Sequence, residues 1–73
     1  MSTETAKLEV GDRVWIRGYR WRIFEVGHYV TFENPYGEHV WVRNGGVTLY
    51  NGEWWIKPSY EIYHGDPPKI PTS

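Results

Sequence analysis

Apolar and polar residues alternate in short runs along the chain, and turn residues separate the runs at intervals of about ten positions. The runs RVWIR, YVTFE and HVWVR each place two apolar side chains on one parity, as a strand that buries one face requires. These inward residues are Val14, Ile16, Val30, Phe32, Val40 and Val42. No window shows a helical period, so the pattern predicts antiparallel strands.

A hairpin is predicted around Asn51 and Gly52. This dipeptide lies between two runs rich in β-formers, VTLY and EWWIK, and is typical of a two-residue type I′ turn. Such a turn pairs Tyr50 with Glu53, Leu49 with Trp54, Thr48 with Trp55 and Val47 with Ile56. We therefore expect one core-facing set, which consists of Val47, Leu49, Trp54 and Ile56.

The run YRWRIFEV predicts a longer strand whose parity changes part-way. Tyr19, Trp21 and Ile23 face one side, whereas Phe24 and Val26 fall on the other. A β-bulge near Ile23–Phe24 would bring both sets inward.

Turn residues at Gly18, NPYG (34–37) and NGG (44–46) divide the chain into five or six short strands. The fold class is therefore all-β, a small antiparallel and strongly bent sheet or an SH3-like barrel. The final run YEIY (60–63) is either a strand or a turn of 3₁₀ helix. We expect a flexible segment over 1–9, a β domain over 10–63 and a Pro-rich flexible tail over 64–73.

Composition makes this a small domain that must rely on aromatic packing. The 73 residues include 5 Trp, 6 Tyr and 2 Phe but no cysteine, so no disulfide can stabilise the fold. The chain has neither an apolar run of membrane-helix length nor a recognisable signal peptide. Together with the lack of cysteine, this predicts a cytoplasmic protein that does not enter a membrane.

Charge is balanced overall but unevenly placed. The net charge is −1, from 8 basic and 9 acidic residues. Residues 13–22 hold four arginines and no acid, so a patch of +4 leaves four basic residues against nine acids, or −5, elsewhere. These arginines are Arg13, Arg17, Arg20 and Arg22.

Three tryptophans fall on the outward parity of three different strands, and each has a basic residue two positions away. Trp and Arg are the residue types most enriched in binding hot spots, so the pattern indicates a protein-binding surface. The candidate partner-binding residues are Arg13, Trp15, Arg17, Arg20, Arg22, Trp41, Arg43 and Trp55. The alternative is structural: the rings cover the ends of the fold, and Arg20 and Arg22 pair across strands with Glu25, Glu33 or Glu38.

Motifs for catalysis or metal binding are not found in the sequence. The histidines, His28, His39 and His64, lack metal-ligand spacing, and the three serines lack a nucleophile motif. No phosphate-binding glycine loop is present. We therefore expect a non-enzymatic protein without metal or cofactor.

Two other binding functions stay open. A small β-barrel with exposed rings and arginines can stack single-stranded bases, although a pI near 6.3 disfavours a dedicated nucleic-acid binder. A peptide-binding adaptor would use an aromatic groove, and this hypothesis requires Trp41 and Trp55 to lie on the same side of the fold.

The first strand resembles that of SH3-like and KOW-type barrels. Those barrels begin with a V-G-D-x-V-x-V strand, which stands here as Val10, Gly11, Asp12, Val14 and Ile16. The match covers about the first third of the chain, and Arg20–Arg22 stand where KOW domains have a later glycine spacing. The resemblance implies a small β-barrel.

The chain is also similar in size, aromatic content and lack of cysteine to the small early regulators of lytic bacteriophages, including phages of Xanthomonas. This resemblance implies binding to bacterial RNA polymerase near the N-terminus of its largest subunit. It also implies inhibition of transcription initiation by displacement of σ, and a part in antitermination. It transfers no site residue, and we expect the free protein to be a monomer.

Overall fold

The computed structural model describes residues 7–68, which form one seven-stranded sheet without a helix. The strands are β1 (Arg13–Ile16), β2 (Tyr19–Val26), β3 (Tyr29–Glu33), β4 (His39–Arg43), β5 (Val47–Tyr50), β6 (Glu53–Ile56) and β7 (Tyr63–His64). Their order in the sheet is β5-β6-β1-β2-β3-β4-β7. Over the same residues, no helical segment has the length and apolarity that a bilayer crossing requires.

The all-β fold with a bent sheet is confirmed, with differences in detail. The sheet is not closed into a barrel: β5 and β7 are its two edges. Six antiparallel strands at most were expected, whereas the described residues form seven, and β1 pairs with β6 in parallel. The parallel pair arises because the β5–β6 hairpin docks against β1 through its second strand, a long-range contact that no local pattern encodes.

The core lies on one face of this single layer. The buried apolar side chains come from β1 to β4, and Leu8, Trp21, Val47, Trp54, Ile56 and Ile62 pack against them. The buried set is Val14, Ile16, Ile23, Val30, Phe32, Val40 and Val42. A single sheet without a covering layer can hide these side chains only by curving around them, so the core occupies the concave side.

The bulge in β2 is confirmed, but it does not bury both sets of side chains. The register shifts between Ile23 and Glu25, which makes Phe24 the extra residue. The bulge returns Val26 to the core parity opposite Val30, yet Phe24 and Val26 remain 46% and 38% exposed. The expectation that both lie inward is therefore confirmed for the direction of Val26 and wrong for Phe24, and neither residue is buried.

Two further residues predicted to face the core are exposed, because neighbouring strands do not cover them. Tyr19 is 74% exposed: it pairs with Ile16 at the β1–β2 turn, and the pairing of β2 with β3 begins only at Arg22. Leu49 is 46% exposed on β5, an edge strand.

The hairpin register is confirmed at all four pairs from Val47 with Ile56 to Tyr50 with Glu53. Asn51 and Gly52 have φ angles of 56° and 80°, as a type I′ turn requires. The predicted turn at Asn34 also forms, and the Asn34 side-chain oxygen accepts hydrogen bonds from the backbone N–H groups of Tyr36 and Glu38.

The predicted terminal segments lie partly outside the described residues, which leave out 1–6 and 69–73. In the described parts of these segments, Leu8 packs against the core, and the N–H of Gly65 donates to the carbonyl of His39 at 2.8 Å. In the run YEIY only Tyr63 is in a strand, where β7 pairs with β4. The domain bounds stay a prediction.

Candidate partner-binding face

The tryptophans divide between the two faces of the sheet as the alternation predicts. Trp21 and Trp54 pack against the core. Trp15, Trp41 and Trp55 lie on the opposite, convex face, since their strand neighbours Val14, Ile16, Val40, Val42, Trp54 and Ile56 point to the core side.

Two strand pairings bring Trp15, Trp55 and Arg20 together. The parallel pairing of β1 with β6 sets Trp15 beside Trp55, with ring centroids 6.0 Å apart and planes inclined by 25°. The antiparallel pairing of β1 with β2 sets Arg20 opposite Trp15, and its guanidinium carbon lies 4.6 Å from the ring centroid. Trp55 also donates from Nε1 to the carbonyl of Tyr50 at 3.3 Å. These three residues form the Trp15–Trp55–Arg20 cluster.

Two of the four clustered arginines are held by carboxylates of the same chain. Arg22 contacts Glu33 at 2.6 Å, which confirms part of the structural alternative. Arg20 contacts Glu53 at 2.9 Å rather than Glu25, Glu33 or Glu38, because β6 lies next to β1 in the sheet. Both side chains of the Arg20–Glu53 pair are 42% exposed, so solvent screens the contact and its contribution to stability is small.

The other two arginines have no such partner within residues 7–68. Arg13 lies directly opposite Arg22, so two positive charges are neighbours across β1 and β2. Arg17 is exposed in the β1–β2 turn, where its φ of 52° places it in the left-handed region. Arg13 also lines two shallow depressions, one with Arg22 and Glu33 and one with Trp15 and Glu53.

Trp41 and Arg43 form a separate region on β4. The Trp41 ring stacks on Tyr63 at 4.5 Å and meets the edge of Tyr29 at 4.7 Å, while Arg43 is exposed. We call Tyr29, Trp41 and Tyr63 the β4 aromatic cluster. Three strands lie between β6 and β4, a separation of four strand spacings or about 19 Å. The eight predicted site residues therefore divide into two groups on one face of the sheet, and the peptide-groove hypothesis stays a prediction.

An ionic chain that sequence reasoning missed joins three parts of the fold. His39 on β4 contacts Asp66 through Nδ1 at 2.6 Å and Glu33 through Nε2 at 3.3 Å. Glu33 in turn accepts from Arg22. The pairing of Glu33 with His39 could have been found from the β3–β4 register, whereas Asp66 follows β7 and no local signal places it here. No group of three or more His, Asp or Glu side chains in residues 7–68 is arranged to hold a metal ion.

The contacts within this ionic chain shift the pKa values of His39 and Glu33. The hydrogen bond to Asp66, with a smaller effect from Glu33, raises the pKa of His39 above its ordinary value of 6.5, although partial burial opposes the shift. The hydrogen bonds from Arg22 and then His39 lower the pKa of Glu33 below 4.5. Near neutral pH, Glu33 is therefore ionised and His39 carries more positive charge than an isolated histidine.

We expect His39 to stabilise the fold more at low than at high pH. Because its folded pKa is raised, its contribution is fully present below 6.5 and is lost as the pH rises through the folded value. Replacing His39 with glutamine should therefore lower the melting temperature more at about pH 5.5 than at about pH 9. Glu33 remains ionised at both values. Thermal melts of the wild type and the variant at each pH measure the gap between their melting temperatures.

The same substitution in an Asp66→Asn background serves as the control. Asp66 supplies the larger part of the shift, so the pH-dependent part of the gap should shrink when its charge is removed. A gap of equal size at both pH values would contradict the ionic role of His39 and leave it a packing residue against Phe24, whose ring centroid lies 4.5 Å away.

No family model matches this chain, and no curated protein and no solved structure matches it either. The all-β sheet is compatible with the resemblance to small β folds, but the comparisons add no support for SH3-like or KOW-type membership or for a phage regulator. The function therefore has to be inferred from the convex face itself.

Proposed function

We propose that this protein is a non-enzymatic binding module that acts by occupying a surface of a larger protein. The observation that carries the proposal is the Trp15–Trp55–Arg20 cluster with Arg13 beside it, which has no carboxylate partner among residues 7–68. The cluster combines large planar rings with a guanidinium already held in position, so little conformational entropy is lost when a partner binds. Trp55 remains 38% exposed and offers apolar area for contact.

Bacterial RNA polymerase is the partner that we propose, with the contact near the N-terminus of the largest subunit. This choice follows from the resemblance to phage regulators, and the basic, aromatic surface is compatible with an acidic protein partner. Bound there, the protein would inhibit initiation by displacing σ and would permit antitermination. It would act as a monomer in the cytoplasm of the host bacterium.

Single-stranded nucleic acid is the second candidate, and one observation favours it. The Trp15 and Trp55 rings with Arg13 and Arg20 resemble a base-stacking platform. Two features weigh against it: Arg20 and Arg22 already contact carboxylates, and the rest of the chain carries a formal charge of −5 by the count given above.

The proposal is tested by immobilising the protein, passing a bacterial lysate over it with and without nuclease treatment, and identifying the proteins and nucleic acids that are retained. We expect RNA polymerase subunits to be retained by the wild type and lost with Arg20→Glu. Arg43→Glu is the matched control, because it changes charge equally but lies on β4, apart from the cluster. Retention of nucleic acid alone, or loss of every partner after nuclease treatment, would support the base-stacking function instead.

A further inference from the structure

Within residues 7–68, the two carboxylates that contact the arginine patch come from other strands and remain partly accessible to solvent. Glu53 on β6 holds Arg20, and Glu33 on β3 holds Arg22. Both guanidiniums are substantially exposed, at 42% for the Arg20 side chain and 59% for that of Arg22. An exposed ion pair contributes little to stability, so a carboxylate from another molecule can compete with either glutamate.

The two pairs differ in what else holds their partners. Glu33 also contacts His39, so its removal would disturb the chain that leads to Asp66. Glu53 makes only the Arg20 contact among the side-chain ion pairs of residues 7–68. Arg20 would keep its place without Glu53, because it also rests on the Trp15 ring at 4.6 Å.

We infer that Glu53 occupies the binding position of a carboxylate from an acidic partner segment, and that the partner binds by replacing Glu53 on Arg20. The inference rests on the proposed function in that it uses the same cluster, and it adds the chemistry of the partner. The segment carries an acidic side chain for Arg20, a second for Arg13, and an adjacent apolar side chain for the Trp55 ring. Glu53 thus lowers the affinity of the free protein for such a segment.

An acidic peptide fits this position better than a nucleic-acid strand. The position already holds a carboxylate at 2.9 Å, which matches the geometry of the group that would replace it. A strand of phosphates would extend past the patch and meet the excess of acidic residues elsewhere on the chain, whereas a short segment need not.

The test is a titration of the full chain with a synthetic glutamate-rich peptide that carries a leucine at each end. Tryptophan fluorescence monitors the binding. Glu53→Gln should bind this peptide about two- to fivefold more tightly than the wild type, which is the affinity equivalent of one exposed ion pair. Glu25→Gln is the matched control: it raises the net charge by the same unit, and Glu25 is exposed without an ion pair in the described part of the chain. Its affinity should equal that of the wild type.

Two further measurements decide the specific roles. The tightening by Glu53→Gln should disappear in an Arg20→Gln background, because no guanidinium is left to release. The same peptide with glutamine in place of glutamate should not bind detectably, and oligodeoxythymidylate should bind more weakly than the acidic peptide. Equal tightening by Glu25→Gln, no tightening by Glu53→Gln, or preferred binding of the oligonucleotide would each overturn the inference.

The titration uses no RNA polymerase, so its result is independent of the capture experiment. Retention of RNA polymerase together with unchanged affinity of Glu53→Gln would overturn only the role of Glu53. Peptide binding that tightens with Glu53→Gln, without retention of RNA polymerase, would support the acidic-segment inference and reject the proposed polymerase partner.

Discussion

Replacing Phe32 with alanine is expected to lower the free energy of unfolding by about 3 to 5 kcal/mol. Phe32 is the largest fully buried side chain among residues 7–68, and its strand neighbours in register are Ile23 and Val40, both buried. A chain of 73 residues without disulfides has little stability to spare, so much of the variant should be unfolded at physiological temperature. Urea denaturation followed by tryptophan fluorescence measures the change.

Phe24→Ala is the matched control, since it removes the same ring from the only other phenylalanine in the sequence. Phe24 is the extra residue of the bulge and is 46% exposed, so its loss should cost about 1 kcal/mol or less. Equal costs at the two positions would mean that the core does not centre on β3.

Replacing Trp55 with alanine is expected to weaken partner binding by about 2 kcal/mol or more, equivalent to roughly 30-fold in Kd. The substitution removes exposed apolar area and the ring that stacks beside Trp15. The fold should tolerate it, because Trp55 lies on the convex face and only its neighbour Trp54 packs against the core. Calorimetric titration of purified RNA polymerase, after circular dichroism has shown that the variant is folded, measures the effect.

Trp41→Ala is the companion variant, and we expect the opposite result from it. Trp41 is enclosed by Tyr29 and Tyr63, so its removal should reduce stability and change partner affinity little. Loss of affinity with Trp41→Ala and not with Trp55→Ala would move the partner-binding surface to β4 and Arg43.

The hairpin and the convex position of three tryptophans could be predicted because they depend on short-range rules. A two-residue Asn-Gly turn determines every pair of β5 with β6, and strand alternation then determines which side each residue takes. The same alternation placed Trp15, Trp41 and Trp55 outward in three unrelated strands. In the hairpin the paired residues are close in the chain, and the face of each tryptophan depends only on its parity in the strand.

The alternation could not predict the degree of burial, because burial depends on what lies alongside a strand. Leu49 has the parity of the core yet is half exposed, since β5 is an edge. Tyr19 is exposed because β3 does not extend alongside it. Thr31 shows the reverse: it is polar and on the outward parity, yet it is 1% exposed.

By itself the sequence determined the all-β class, the turns, the hairpin register, the bulge and the face of each tryptophan, because these follow from backbone sterics and from the two-residue period of a strand. Only the tertiary structure decided that β6 lies parallel to β1, that the sheet stays open, and that Glu53 rather than Glu25 holds Arg20. The pairing of β1 with β6 joins residues that are 40 positions apart in the chain, as Trp15 and Trp55 are. Such contacts are selected by the packing of the whole core. The sequence therefore predicted which residues belong to the candidate site, and the fold decided which of them lie together.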